Sequence, residues 1–187
     1  MSNLIEHLET HLGQIVGGWD RDADGNKSPI QVVHFEKCPM PGARVLTTLG
    51  LSKFALGYRD GSRRLRQELV MMCREADGYR NLPGILHDVA LEALSKDRAC
   101  AVGDVLGPRG ELVTGSPLEA LYVTLPVYLP ETFHIFKGDE YSIVFAWLVP
   151  ITASEANLVR SKGRIAFEDV LEKFDPDVLD FARPPIA

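Results

Sequence analysis

Cysteine is scarce in this 187-residue chain: Cys38, Cys73 and Cys100 are odd in number and far apart, which does not read as a disulfide framework. No Cys-x-x-Cys pair is present, and His34 with Cys38 is a lone spacing across a strand end, so no metal site is expected. Basic residues are outnumbered, 20 against 26 acidic, for a net charge of −6. A phosphate-backbone binder depends on clustered Lys and Arg, so nucleic acid is not an expected partner. The apolar run from Tyr141 to Val149 is too short to cross a bilayer. Residues 1 to 16 mix charged with apolar side chains, so the apolar core of a signal peptide is missing and cytoplasmic residence, with no membrane partner, is the default. Neither a G-x-G-x-x-G nor a P-loop pattern occurs, so nucleotide binding has no local support and no cofactor is expected. Repeats, low-complexity tracts and linkers are absent as well, which predicts one domain over residues 1–187.

What is present fits a soluble globular protein, with 45% hydrophobic and 25% charged residues. A domain of this length buries ~70% of its unfolded surface and needs no staples. The clearest architecture lies between Tyr141 and Phe174. Tyr141 to Val149 is β-branched, aromatic and uncharged, as a strand buried on both faces would be, and Pro150 is expected to end it. Thr152 and Glu155 have the spacing of a capping box and should open a helix. Gly163 should stop that helix, with Ile165, Val170, Leu171 and Phe174 forming the apolar face of a second one and Glu168 and Glu172 on its wet side.

Upstream, Asn3 can cap a helix with Glu6 three residues on, Leu4, Leu8, Leu12 and Ile15 share a face, and Gly17-Gly18 should end it. Trp19 to Ser28 reads as a polar turn and Ile30 to Phe35 as a strand, followed by a break at Cys38-Pro-Met-Pro-Gly42. Val45 to Leu51 is a β segment. Arg64 to Arg74 fits a strand that places Leu65, Leu69, Met71 and Cys73 on one side, although Leu65, Leu69 and Met72 also fit a helical period. Pro83 suits a first helical turn, with Ile85, Leu86, Val89, Ala90, Ala93 and Leu94 as a wide apolar face. After a Gly- and Pro-rich stretch at 101–117, Leu118 to Leu129, Thr132 to Phe136 and Tyr141 to Val149 should pair as a meander, and 182–187 should be a loose tail. The predicted class is α+β: a mixed, largely antiparallel sheet flanked by helices in a single compact domain.

Local chemistry is thin. Asp20, Asp22 and Asp24 before Gly25 begin like an EF-hand loop, but the twelfth position is Gln31 and Pro29 falls inside, so an acidic surface turn is expected. Ser52 lacks the glycines of a nucleophile elbow. Cys73 and Cys100 should be inert buried thiols, Trp147 core, and His87 and His134 structural. Glu92 and Lys96 form an i,i+4 pair of the kind found on solvated helix faces.

The order of short motifs goes further. Gly103-Asp104-Val105, then Ser116-Pro117-Leu118, then an aliphatic strand ending in Leu-Pro, and later Ile143 to Glu155, resemble the suppressor-of-fused domain. Thr47 to Leu51 and Gln67 to Val70 are similar to its earlier paired strands, which favours the extended reading of 64–74, and the helix opened by Pro83 has a counterpart. The resemblance spans about residues 30–175. It implies a protein-binding domain without catalytic activity. In the animal members a second domain follows, and the two clamp a peptide from a transcription factor. A lone domain is similar to the bacterial members, proposed as immunity proteins to toxins. Of the peptide-holding residues, the aspartate of the Gly-Asp step matches Asp104, whereas Glu92 stands where the family has a tyrosine.

The resemblance therefore implies a non-enzymatic domain that sequesters or inhibits a cognate protein, a toxin being one such partner, with Asp104, Glu92 and Gly103 as candidate contact residues on an acidic face. Asp104 has an equally simple alternative as a turn aspartate bonding its own backbone. Two other readings stay open: a small hydrolase with a site assembled from distant residues, and a structural homodimer.

Overall fold

The computed structural model describes residues 3–21, 24–59, 61 and 63–187. In chain order the elements are α1 (Leu4–Leu12), β1 (Ile15–Arg21), β2 (Lys27–Phe35), β3 (Ala43–Leu49), β4 (Leu56–Gly57), β5 (Arg64–Leu65), β6 (Gln67–Arg74), α2 (Leu82–Ser95), β7 (Val105–Leu106), β8 (Leu118–Thr124), β9 (Ile135–Lys137), β10 (Ser142–Thr152) and α3 (Ala153–Phe174). The main sheet runs β1-β2-β3-β6-β10-β8-β7, with β9 also on β10, while β4 and β5 make a separate ribbon. Its neighbours are antiparallel except β6 and β10, which are parallel over Gln67–Val70 and Val144–Trp147. This is the α+β architecture expected from the sequence.

Alternation along each strand sorts side chains into two cores. Ile143, Phe145, Trp147, Val149 and Ile151 of β10 face the layer that holds Leu8, Leu12, Val159 and Phe167 of α1 and α3. Ala146 and Leu148 face the opposite layer, against Leu82, Leu86, Val89 and Ala90 of α2. β6 is extended, and Leu69, Met71 and Cys73 do share the α2 side. The helical alternative for 64–74 is thereby set aside.

Several boundaries move, each for a physical reason. Asn3 caps α1 as expected, its Oδ1 accepting from the Glu6 N–H at 2.8 Å, but Gly13 (φ 74°) ends the helix. Gly17 and Gly18 lie in edge strand β1, where a Cβ would come within 2.6 Å of His34 Nε2 and of the Val32 carbonyl oxygen respectively. Trp19 belongs to the same strand. Asp22 and Ala23 fall outside the described residues, so the expected acidic turn does too. β8 stops at Thr124, and His134 Nε2 pins the loop that follows through the Pro126 and Leu129 carbonyls at 3.1 and 3.2 Å. β8 and β9 consequently pair with β10 and not in the expected meander order.

β10 continues through Pro150 to Thr152. Its parallel ladder with β6 ends at the Trp147–Val70 pair, so one edge beyond it carries no ladder and a missing N–H is tolerated. The capping box forms: Thr152 N–H donates to Glu155 Oε2 at 2.9 Å and Glu155 N–H to Thr152 Oγ1 at 3.3 Å. Gly163 breaks α3 at φ 85°, as the sequence suggests. Beyond it the buried side chain is Phe167, whereas Ile165 and Phe174 are exposed, and Glu168 is not wet-side only but accepts the Tyr122 hydroxyl at 2.8 Å. The tail is not loose either. Within 182–187 Arg183 is buried, and its guanidinium grips Glu155 with two bonds of 2.7 Å in a pair that is 3% and 0% exposed, just after the buried Val178, Leu179 and Phe181.

Candidate functional site

Asp104, Glu92 and Gly103 come from two segments that the fold brings to one end of the sheet. α2 carries Glu92, and after it the chain returns through Gly103, at φ 88°, to β7 beside β8. The Gly103 N–H donates to the Val123 carbonyl at 2.8 Å, and the Val123 N–H to the Asp104 carbonyl at 2.9 Å, so the turn is stitched to β8. A side chain at Gly103 would meet that positive φ and the Arg164 side chain 2.9 Å away.

Asp104 closes its own turn: Oδ2 accepts from the Ala101 N–H at 3.0 Å, while the Asp104 N–H donates to the Ala101 carbonyl at 2.9 Å. Its Oδ1 lies 3.1 Å from Arg59 and its Oδ2 3.7 Å from Arg98, and only 13% of the side chain is exposed. Glu92 pairs with Lys96 and Arg109. Those two cations hold its carboxyl below the usual range, against a smaller upward push from burial. Glu92 and Asp104 line one groove of about 310 Å³, together with Lys96, Arg98 and Arg109. Three cations against two carboxylates correct the expectation of an acidic face: the acids are present, but each is already neutralised by basic neighbours. Sequence reasoning missed Arg59, Arg98 and Arg109, because they converge from three separate segments.

Other expectations about chemistry resolve in structural terms. Ser52 is buried, and its N–H and hydroxyl donate to Glu68 Oε1 at 3.1 and 2.7 Å. The Gly50 N–H joins them at 2.9 Å and the Thr48 hydroxyl reaches Oε2 at 2.6 Å. Burial nevertheless pushes the Glu68 carboxyl up, with these donors opposing it. His87 is buried, and its Nε2 has no partner among the described residues. Cys73 and Cys100 are thiols that burial pushes up to about 11. One His-x-x-x-His spacing, His7 and His11, lies on α1. His7 Nε2 contacts the Phe133 carbonyl at 3.2 Å, and His11 contacts the His7 carbonyl and Thr132 Oγ1 at 2.8 and 3.0 Å, so the rings tie the helix to the loop before β9. Among the described residues no three ligating side chains converge on a metal position. No helix among them is long and apolar enough to cross a membrane.

With this geometry in view, solved structures of similar fold can be compared. A protein from Neisseria gonorrhoeae described as a suppressor of fused homolog superposes with a TM-score of 0.66 at 16% identity, covering 100% of this chain and 86% of its own. Drosophila Suppressor of Fused gives 0.59 at 15% identity over 84% of this chain, which spans 42% of that longer one. A chain from a Sufu–Fu complex gives 0.57 at 15% identity, covering 100% and 83%. No curated protein matches the sequence. At such identities the superpositions show a shared fold. The sequence itself carries the assignment, because the family model for suppressor of fused protein (SUFU) matches residues 26–184, well over half the chain, so this chain belongs to the suppressor of fused family.

Proposed function

We propose that this domain is a non-enzymatic binder that captures one cognate protein through the face around the Gly103–Asp104 turn, β7 and the end of α2. The observation that carries the reading is the convergence of Asp104 and Glu92 on one groove beside β7, with Gly103 in the turn that leads into Asp104. Family membership supports it, since one solved relative is the Sufu–Fu complex. Among the described residues β7 is the last strand of the sheet and pairs on one side only, with β8, so its other edge is available to a partner backbone. Sequestration or inhibition of that partner follows from such a mode, and toxin immunity is the form the bacterial resemblance suggests.

The test immobilises the wild-type chain, Asp104→Arg and Glu92→Arg and identifies the captured proteins by mass spectrometry. Thermal unfolding confirms that each variant folds. A specific protein recovered by wild type and lost by either folded variant is the expected result. Unchanged recovery by both removes the groove from the interface. For immunity, co-expression with products of neighbouring genes should relieve the growth arrest that one of them causes, and persistent arrest in every pairing would count against that role.

A further inference from the structure

A second concavity, separate from the Asp104 groove, lies between the sheet and the end of α3. It has a volume of about 300 Å³. Tyr122 and Trp147 of the sheet, Tyr128 of the loop after β8, and Leu171 of α3 form its walls, with Glu168 and Asp175 as its carboxylates. The Tyr128 and Trp147 rings pack at 5.1 Å between centroids. No Lys, Arg or His lines it among the described residues.

Two polar groups of this pocket are left without a partner among the described residues, and its mouth is apolar and exposed. The Asp175 carboxylate makes no hydrogen bond or ion pair among the described residues. The indole Nε1 of Trp147, a residue only 2% exposed, has no acceptor there either. Such a buried donor is costly to leave unmade. Tyr128 and Val127 stand 38% and 64% exposed at the mouth, a large apolar exposure for a folded surface. Glu168 is engaged, by the Tyr122 hydroxyl at 2.8 Å and by Arg164 at 3.4 Å, but it adds negative potential on the same side.

We propose that this pocket binds an organic cation: an alkylammonium or guanidinium group on an apolar stem. Aromatic faces attract cations through the ring quadrupole, and the attraction strengthens where water is displaced. The unpaired Asp175 supplies the countercharge, and Leu171 and the rings cover the stem. An anion would meet two carboxylates and no basic residue in the wall, Arg164 being engaged on Glu168, and a neutral chain would leave the charge complementarity unused. The volume suits one side-chain-sized group, at the small end of ligand pockets.

The chain has two tryptophans. Trp19→Phe therefore leaves Trp147 as the reporter, and its emission is followed while hexylammonium, hexanol or the blocked peptide acetyl-Gly-Lys-Gly-amide is added. Hexylammonium or the peptide should give a saturable change, and hexanol should bind at least about fivefold more weakly than the better of them. Asp175→Asn, tolerated at the left-handed φ of 41°, should weaken the cation about threefold and leave hexanol unchanged. Tyr128→Ala, an exposed loop change checked by thermal unfolding, should weaken the cation about fivefold. Tighter binding of the peptide assigns the cation to a lysine of a partner, and tighter binding of hexylammonium to a small amine; either supports the proposal. It is overturned if neither cation gives a saturable change, if hexanol equals the cations, or if Asp175→Asn leaves cation binding unchanged.

Discussion

Arg183 offers the most demanding test of how the tail is held. Its guanidinium makes two 2.7 Å bonds to Glu155, and its Nη2 also reaches the Pro150 carbonyl at 3.3 Å. Glu155 additionally accepts from the N–H groups of Thr152 and Ile186 at 2.9 and 3.1 Å. Truncating Arg183 leaves a carboxylate that is 0% exposed with no countercharge, a situation that costs about 3–5 kcal/mol. For a domain of this size that loss lowers Tm by roughly 6–20 °C. Urea unfolding of wild type, Arg183→Ala and the pair Glu155→Gln with Arg183→Leu should show a large loss in the single variant and substantial recovery in the double. The pH dependence has a definite sign. Burial alone would push the Glu155 carboxyl up, but Arg183 and the N–H donors outweigh it and hold it below its usual range. Its contribution is therefore present at neutral pH and is lost as pH falls from the ordinary glutamate range through that lowered value. In Arg183→Ala the buried acid is better protonated, so the gap to wild type should narrow on acidification. A loss under about 1 kcal/mol, typical of an exposed pair, would refute the reasoning.

The other predictions concern single groups. Glu68 is a buried acid whose carboxyl is raised, so its folded form favours the proton; wild-type stability should rise as pH drops from neutral through that raised value, and Glu68→Gln should lose this rise in pH-dependent urea melts. With Cys73 and Cys100 buried and raised to about 11, a thiol reagent at pH 8 should label half-buried Cys38 first, and the other two only on unfolding, as counted by mass spectrometry. Thr152→Ala removes the hydroxyl that caps α3 and should cost about 1 kcal/mol by chemical denaturation. Gly103→Ala should destabilise by about 1–2 kcal/mol, because a Cβ is disfavoured at its positive φ.

Local grammar made much of the fold legible. The Asn3 cap, the Thr152 and Glu155 box, Gly163 as a break and the opening of α2 at Pro83 all depend on neighbours within four residues, and each is observed. What failed depends on distant partners. Gly17 and Gly18 serve a close approach of β1 to β2 that no local pattern encodes. Arg183 reads as one more charge in a Pro-rich tail until Glu155 is placed beside it. Of the site, the sequence pointed to Asp104, Glu92 and Gly103 through family order; Asp104 and Glu92 line one groove, and Gly103 does not line it. The spacing showed Lys96 beside Glu92 but could not reveal that Arg59, Arg98 and Arg109 would also pair with the two acids, since ion pairing between separate segments has no signature in spacing.

The parallel pairing between β6 and β10 also bears on how the chain acquires its fold. It divides the main sheet into two ladders: β1-β2-β3-β6, drawn from residues 15–74, and β7-β8-β10 with β9, drawn from residues 105–152. Within the first ladder each strand pairs with the next one of that ladder along the chain, so its closure entropy is low and it can assemble early. The seam joins only Gln67–Val70 to Val144–Trp147, across about 75 residues that include α2. Docking of the two ladders is thus the expected late step. Mutating Leu46, inside the first ladder, should slow refolding, whereas mutating Ala146 at the seam should chiefly speed unfolding. Stopped-flow refolding in which both changes act on the same rate would mean that the seam forms together with the first ladder.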